Sequence, residues 1–115
     1  MTVTIWHNPR CSKSRETLDL IRDRGVGPQV RFYLDDPPTA GELQGALDRL
    51  GLAAPDLVRR GEPLFRELGL GIDADEATLL AAMAAHPKLI ERPVVIRGDR
   101  AVIGRPPLRV LDLLD

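Results

Sequence analysis

The chain has 115 residues, a length that suits one domain with a single modest hydrophobic core. Its hydrophobic share of 43% and charged share of 29% are typical of a soluble globular protein, and no apolar run approaches the ~20 residues that span a bilayer. A net charge of −1 lacks the basic surplus that nucleic-acid or membrane-surface binders need, so we expect neither kind of partner.

The first 35 residues predict a strand, a helix and a second strand. The stretch "VTIW", Val3–Trp6, has a strand pattern, and "SRETLDLIRDRG" places Leu18 and Ile21 on one helical face before Gly25 ends the helix. The stretch "QVRFYL", Gln29–Leu34, is predicted to be the second strand. This order is typical of a βαβ unit, in which the two strands are parallel.

The middle of the chain, at about 39–85, predicts a block of helices. A Thr-x-x-Glu capping box at Thr39 begins the helix of "AGELQGALDRLGL". A short helix is expected from Pro63, and Asp73 with Glu76 is expected to cap the Ala/Leu-rich helix that follows.

The last quarter of the chain predicts a hairpin and a closing helix. The stretches "VVI" and "RAVIG" flank the turn "RGDR", and "PPLRVLDLLD" indicates a helix begun by proline, with Val110, Leu111 and Leu114 facing inward. The order β-α-β, helices, β-β-α predicts an α/β, thioredoxin-like βαβ–ββα sandwich. We expect a single domain over 1–115, with the helical insertion (about 39–85) between its halves.

Cys11 falls at the first strand-to-helix junction. Unpaired backbone N–H groups and the macrodipole at a helix N-terminus favour a thiolate, and Arg10, Lys13, Arg15 and His7 can add positive charge. The same N–H groups form an anion cradle. An isolated cysteine is more often inert, but this position favours a nucleophile beside an oxyanion pocket.

Cys11 is the only cysteine, and Ser14 stands where a C-x-x-C motif would carry its resolving cysteine. Any redox turnover must therefore use a thiol from outside the chain. A single cysteine cannot form an internal disulfide, and the first residues do not resemble a signal peptide. We expect a cytoplasmic protein.

Three later arginines are candidates for holding an oxyanion: Arg59 in "LVRR", Arg92 in "ERPVVI" and Arg105 in "IGRPP". In a thioredoxin-type fold the proline before the third strand, here Pro93, faces the active cysteine and is commonly cis. That geometry would orient Arg92 toward Cys11.

Four motifs, "HNPRCSKSR", "LVRR", "HPKLIERPVV" and "GRPP", resemble in order and spacing those of the glutaredoxin-linked arsenate reductase (ArsC) family. The resemblance covers about Thr4 to Leu114. It implies an arsenic-detoxifying oxidoreductase in which the Cys11 thiolate forms a covalent arsenate adduct. Glutathione and glutaredoxin, both external, would resolve the adduct and release arsenite.

By motif position, the resemblance also implies roles for individual residues. Cys11 corresponds to the nucleophile, His7 to the residue that helps lower its pKa, and Ser14 to a hydroxyl that supports the thiolate. The implied substrate-binding residues are Arg59, Arg92 and Arg105. Arg60 follows Arg59 directly, so the choice between these two stays open.

No bound cofactor is expected, because the chain has no Gly-rich dinucleotide motif, and no metal, because His7 and His86 are far apart in sequence. Two other functions remain open. One is a glutathione-dependent thiol oxidoreductase with a substrate other than arsenate. The other is a non-catalytic regulator similar to Spx-type proteins, although those usually carry C-x-x-C, which Ser14 interrupts.

Overall fold

The structure is a computed structural model that describes residues 2–71 and 73–115. It divides into two compact units. The first, which we call the sheet unit, holds the chain up to Asp36 and again Arg92–Asp115, and the second, the helical unit, is Pro37–Glu91. The organisation as one domain with an insertion at about 39–85 stays a prediction.

The sheet unit is built on a four-stranded mixed sheet with the order β2-β1-β3-β4. Strand β1 is parallel to β2 and antiparallel to β3, which is antiparallel to β4. The strands are β1 (Val3–Trp6), β2 (Gln29–Arg31), β3 (Val94–Arg97) and β4 (Arg100–Ile103). The predicted βαβ and ββα halves and the hairpin are confirmed.

The described residues form six α-helices: α1 (Ser12–Asp23), α2 (Ala40–Leu50), α3 (Ala54–Leu57), α4 (Pro63–Glu67), α5 (Glu76–Ala85) and α6 (Leu111–Leu114). Two 3₁₀ turns, Pro87–Leu89 and Pro107–Val110, precede β3 and α6. Within residues 2–71 and 73–115, no helix combines the length and the apolar character needed to cross a membrane.

Helix α1 packs on the sheet and, at its N-terminus, positions Cys11. It ends as predicted, since Gly25 follows it with φ +76°, in the left-handed region that favours glycine. The core of the sheet unit joins buried side chains from two strands, β1 and β3, from α1 and from the C-terminal helical segment: Val3, Ile5, Leu18, Ile21, Val95, Val110 and Leu113.

Two predicted boundaries in the sheet unit differ from the structure. Strand β2 stops at Arg31 instead of Leu34, because the chain turns there and the N–H of Asp35 donates to the carbonyl of Phe32 at 3.0 Å. The closing segment starts as a 3₁₀ turn, which shifts the inward face: Leu113 is buried, whereas Leu111 and Leu114 are only partly buried.

The helical unit confirms two predicted helix starts and corrects a third. At Thr39 the capping box is complete, with reciprocal 3.1 Å hydrogen bonds to Glu42, and α4 begins at Pro63. The prediction that Asp73 caps α5 is wrong. Asp75 is the N-cap, because its carboxylate accepts the backbone N–H of Thr78, three residues on, at 2.8 Å.

Candidate active site

Cys11 is the N-cap residue of α1 and is half-buried. Its backbone is extended, with φ −96° and ψ 120°. Its N–H donates to the carbonyl of Asn8 at 3.0 Å, while its own carbonyl accepts the N–H of Arg15 at 3.0 Å. These two bonds carry the chain from the loop into the helix, and they hold the thiol at the predicted junction.

The surroundings of the Cys11 sulfur favour the thiolate. Burial by itself raises the pKa of the Cys11 thiol, but four contributions outweigh it. The backbone N–H of Ser14, the positive charge of Arg92, the backbone N–H of Lys13 and a hydrogen bond from the Arg92 side chain each lower that pKa. The resulting pKa lies below the ordinary value for cysteine, so more of the thiolate is present at neutral pH.

Ser14 and His7 form a buried pair behind this loop. Ser14 is fully buried, and its Oγ lies 2.7 Å from Nδ1 of His7 and accepts the N–H of Asn8 at 3.0 Å. Burial, then the charges of Arg22 and Arg15, lower the pKa of His7 against the opposing effect of Asp19.

A lowered pKa leaves His7 uncharged at neutral pH. With the proton assigned from this network to Nε2, Nδ1 of His7 accepts the Ser14 hydroxyl. The Ser14 hydroxyl is thus hydrogen-bonded to His7 and Asn8. The group of Ser14 that donates to the Cys11 sulfur is its backbone N–H. That His7 lowers the pKa of Cys11 stays a prediction.

Two of the three candidate arginines lie together in the sheet unit. The Arg92–Pro93 peptide bond is cis, and the Arg92 side chain hydrogen-bonds to the Cys11 sulfur. Nη1 of Arg105 donates to the carbonyl of Arg92 at 3.1 Å, and the peptide bond after Arg105 is also cis. The expected orientation of Arg92 toward Cys11 is therefore present.

Arg59 belongs to the helical unit. Its Nη1 donates to the carbonyl of Lys88 at 3.2 Å and lies 3.5 Å from Oε2 of Glu62, whose other oxygen is 3.7 Å from Nζ of Lys88. Arg59 is half-buried and Arg60 is exposed. The sheet unit thus brings together Cys11, His7, Ser14, Arg92 and Arg105, whereas the place of Arg59 in the site stays a prediction.

Sequence reasoning missed two residues that shape the loop. Asn8 accepts the N–H of Cys11 on its carbonyl and the N–H of Arg10 on its side chain, both at 3.0 Å. Its signal was local, since asparagine before proline is typical of such turns. Gly104 is the second, and its role had no local signal.

Gly104 allows α1 to lie close to the end of β4. Its N–H donates to the carbonyl of Pro93 at 2.9 Å. A Cβ at this position would lie 2.5 Å from Oγ1 of Thr17 and 2.9 Å from Cγ of Pro93, closer than real contacts allow. Only glycine therefore fits between the helix that carries Cys11 and the segment that leads to Arg105.

The assembled groups can act on a tetrahedral oxyanion. A thiolate supplies the nucleophile, while guanidinium and helix N–H groups stabilise negative charge on the oxygens. Among the described residues, no group of three or more His, Cys, Asp or Glu side chains is placed to hold a metal ion.

Known proteins show the same sequence pattern and fold. The ArsC family profile matches residues 6–113. The chain is 47% identical to "Uncharacterized protein YfgD" of Escherichia coli K12, over 97% of this chain and 96% of that protein. It is 44% identical to an arsenate reductase of Haemophilus influenzae, over 99% and 100%. A solved structure, an arsenate reductase from Vibrio cholerae, superposes with a TM-score of 0.94 at 47% identity and covers 97% of both chains.

Proposed function

Because this chain belongs to the ArsC family, we propose that it is an arsenate reductase that forms its adduct on Cys11 and takes its electrons from external thiols. One observation carries the proposal: the Cys11 sulfur faces the N–H groups of the α1 N-terminus and the Arg92 guanidinium. A thiolate in that position has an oxyanion-binding group beside it. The arsenate reductases among the relatives support the choice of oxyanion.

The first step joins Cys11 to arsenic without a change of oxidation state. The thiolate attacks arsenic(V), an arsenic–oxygen bond breaks, and the departing oxygen leaves as water after protonation. The product is a cysteinyl thioarsenate. Negative charge builds on the remaining oxygens as the sulfur approaches, and positively charged donors that strengthen their contacts at that stage accelerate the step.

The later steps need two thiols from outside, because the chain has no second cysteine. Glutathione displaces a second oxygen as water and adds to arsenic. A glutaredoxin thiolate then attacks the glutathione sulfur, so that two electrons pass to arsenic and a glutaredoxin–glutathione disulfide forms. Water finally displaces Cys11 from arsenic(III) and releases arsenite. In sum, arsenate and two thiols give arsenite, one disulfide and one water.

The candidate residues divide these tasks. Arg92 binds the oxyanion and also lowers the pKa of Cys11, and Arg105 and Arg59 supply the other two guanidinium groups. The buried pair of His7 and Ser14 holds the loop so that backbone N–H groups face the sulfur. Electrons come from soluble thiols, so the proposed cycle uses no resident cofactor and takes place in the reducing cytoplasm.

The test is a coupled assay. Oxidation of NADPH is followed with glutathione, glutaredoxin and glutathione reductase present, with and without arsenate, for the wild type and Cys11→Ser. We expect arsenate-dependent oxidation only in the wild type, and a cysteinyl thioarsenate mass on Cys11 when arsenate is added without thiols.

The contrary result is equally clear. A wild type that consumes no NADPH with arsenate, yet is rapidly alkylated at Cys11 at neutral pH, would falsify arsenate reduction and favour a thiol oxidoreductase with another substrate. A Cys11 that titrates near the ordinary ~8.5 would instead favour a non-catalytic protein.

A further inference from the structure

A groove of about 420 Å³ runs along α1 on the sheet unit. Three carboxylates and an apolar floor line it. We call it the acidic groove and define it by Glu16, Asp19, Asp23, Leu20, Pro106 and Leu108. The groove therefore combines negative charge at its rim with apolar surface between the charges.

Both components of the groove are open to a partner. Leu108 is 62% exposed, the highest value among the large exposed hydrophobic side chains of the described part of the chain. Within that same part, no ion pair is recorded for Glu16, Asp19 or Asp23. An exposed apolar side chain beside three exposed carboxylates that form no close ion pair suits a ligand with the opposite charge.

Two residues of the acidic groove lie close in sequence to residues of the candidate site. Glu16 lies five residues after Cys11, the N-cap of α1, a rise of about 7.5 Å along the helix axis. Pro106 directly follows Arg105. A protein that covers the groove and extends beyond Glu16 toward the N-terminus of α1 would therefore reach the site.

We propose that the acidic groove is the docking surface for the protein thiol that completes turnover, an inference that rests on the proposed function. The occupant is a thiol protein whose docking face presents an apolar side chain flanked by Lys or Arg. The apolar side chain packs against Leu20 and Leu108, and the bases lie opposite the three carboxylates. This arrangement brings the partner's thiol toward the glutathione that is attached, through arsenic or directly, to Cys11.

Charge separates this occupant from the other reactants. Arsenate is an anion and glutathione carries a net negative charge, so the carboxylates of the groove disfavour both and leave them to the cationic end of α1. A basic protein face is attracted, and the attraction raises its association rate in a way that salt screens. The N-terminus of α1 thereby favours the anionic reactants, and the acidic groove favours the basic protein.

The test uses a reaction that needs no arsenate. Cys11 is converted to its mixed disulfide with glutathione by treatment with oxidised glutathione, and glutaredoxin is the probe. The glutaredoxin thiolate attacks the glutathione sulfur, Cys11 leaves as a thiolate, and a glutaredoxin–glutathione disulfide forms. Thiol–disulfide exchange conserves electrons and needs no further oxidant. Mass spectrometry follows the loss of glutathione from Cys11.

Asp23→Lys is the informative variant. Asp23 lies twelve residues beyond Cys11, about 18 Å along the axis, so its direct effect on the thiol is screened at physiological salt. A lysine at the end of a helix also suits its macrodipole. We expect the KM for glutathionylated protein to rise roughly 3- to 10-fold with kcat unchanged, since rim charges act mainly on association.

The matched control is Asp99→Lys, the same charge change in the β3–β4 turn, at the opposite end of the sheet from Arg92 and Arg105. Its KM should equal that of the wild type. Leu108→Ala should also raise the KM, although it changes no charge. Removal of glutathione by dithiothreitol, which is uncharged and needs no docking, should proceed at one rate in all four proteins.

A glutaredoxin KM that is the same in the wild type, Asp23→Lys and Leu108→Ala would overturn the docking surface. So would a wild-type rate that does not fall as salt is raised. Failure of the proposed function looks different: arsenate would then drive no NADPH oxidation, while the exchange assay would still report whether the groove directs the protein thiol to Cys11.

Discussion

The sheet unit and the helical unit hold their candidate arginines in different ways. In the sheet unit, Arg92 is hydrogen-bonded to the sulfur of Cys11, and Arg105 donates to the backbone of Arg92. In the helical unit, Arg59 is held by the carboxylate of Glu62, which also contacts Lys88. The charge of Arg92 acts directly on the nucleophile, whereas that of Arg59 is partly offset by a neighbouring carboxylate.

For the proposed cycle, this difference predicts that the candidate arginines contribute unequally. An arginine that touches the thiolate affects both its protonation and the bound oxyanion, whereas one that is paired with a carboxylate acts on the oxyanion alone and at reduced strength. Four changes, taken from the largest expected effect to the smallest, test whether the contrast holds.

Arg92→Ala should have the largest effect. We expect kcat/KM for arsenate to fall on the order of 100-fold, because one charged donor to the developing oxyanion is lost. The pKa of Cys11 should also rise, because only the backbone N–H groups of Ser14 and Lys13 would then remain to counter the effect of burial, which raises that pKa.

The pH dependence of alkylation separates these two effects of Arg92. The reactive form is the thiolate, so the alkylation rate rises with pH through the pKa of Cys11, and loss of Arg92 moves that rise to higher pH. At a pH above both pKa values, the alkylation rates should nearly agree while arsenate turnover remains impaired. If the alkylation rate and arsenate turnover were instead reduced by the same factor at every pH, Arg92 would act only on the thiol.

Arg59→Ala compared with Arg60→Ala tests the contribution of the helical unit. We expect kcat/KM for arsenate to fall about 10-fold with Arg59→Ala and less than about 2-fold with Arg60→Ala. The effect of Arg60 is small because its side chain is exposed, so that solvent and salt screen its charge. Alkylation of Cys11 should be unchanged in both. The opposite order of the two losses would assign the third guanidinium to Arg60.

Gly104→Ala tests the packing that holds the sheet unit's part of the site. The added methyl would overlap Thr17 and Pro93, and we expect the free energy of unfolding to fall by about 1–3 kcal/mol, measured by denaturant titration. Gly41→Ala in α2 is the control: its Cβ would meet Oγ1 of Thr39 at an ordinary 3.8 Å. That variant should gain about 0.5 kcal/mol from helix propensity; similar losses in both would rule out a special role for Gly104.

Glu62→Gln should have the smallest effect. Removal of the carboxylate beside Arg59 leaves that guanidinium with more effective charge, and we expect the KM for arsenate to fall roughly 2- to 5-fold. Glu67→Gln, an exposed change in the same unit, should leave the KM as it is. A rise in KM on Glu62→Gln would show that the carboxylate positions Arg59 more than it neutralises it.

Much of the fold could be predicted because it depends on local patterns. The strands, the helix that follows Cys11, the capping box at Thr39 and the glycine stop at Gly25 are determined by residues within a few positions of one another. Local patterns do not determine an element's boundary where several neighbouring residues can serve equally well. Asp73 and Asp75 both can cap a helix, and the local sequence does not decide between them.

The site was partly predictable for the same reason. The position of Cys11 at a helix N-terminus follows from a strand, a loop and a helix in succession, and the absence of a resolving cysteine at Ser14 is visible directly. The hydrogen bonds of the Ser14 hydroxyl with His7 and Asn8 could not be predicted, because they depend on the path of the loop in three dimensions. The same holds for the acidic groove, whose two walls are more than 80 residues apart in the chain.

By itself, the sequence determined that Cys11 is the only thiol, that a second thiol must come from outside the chain and in what order the elements follow, since each depends on residue identity or on short-range periodicity. Only the tertiary structure decided that Arg92 contacts the sulfur, that Arg105 lies against Arg92, and that Gly104 lets α1 lie close to the end of β4. These contacts join segments that are far apart in the chain. They form only when the helix packs on the sheet, so no local sequence pattern reveals them.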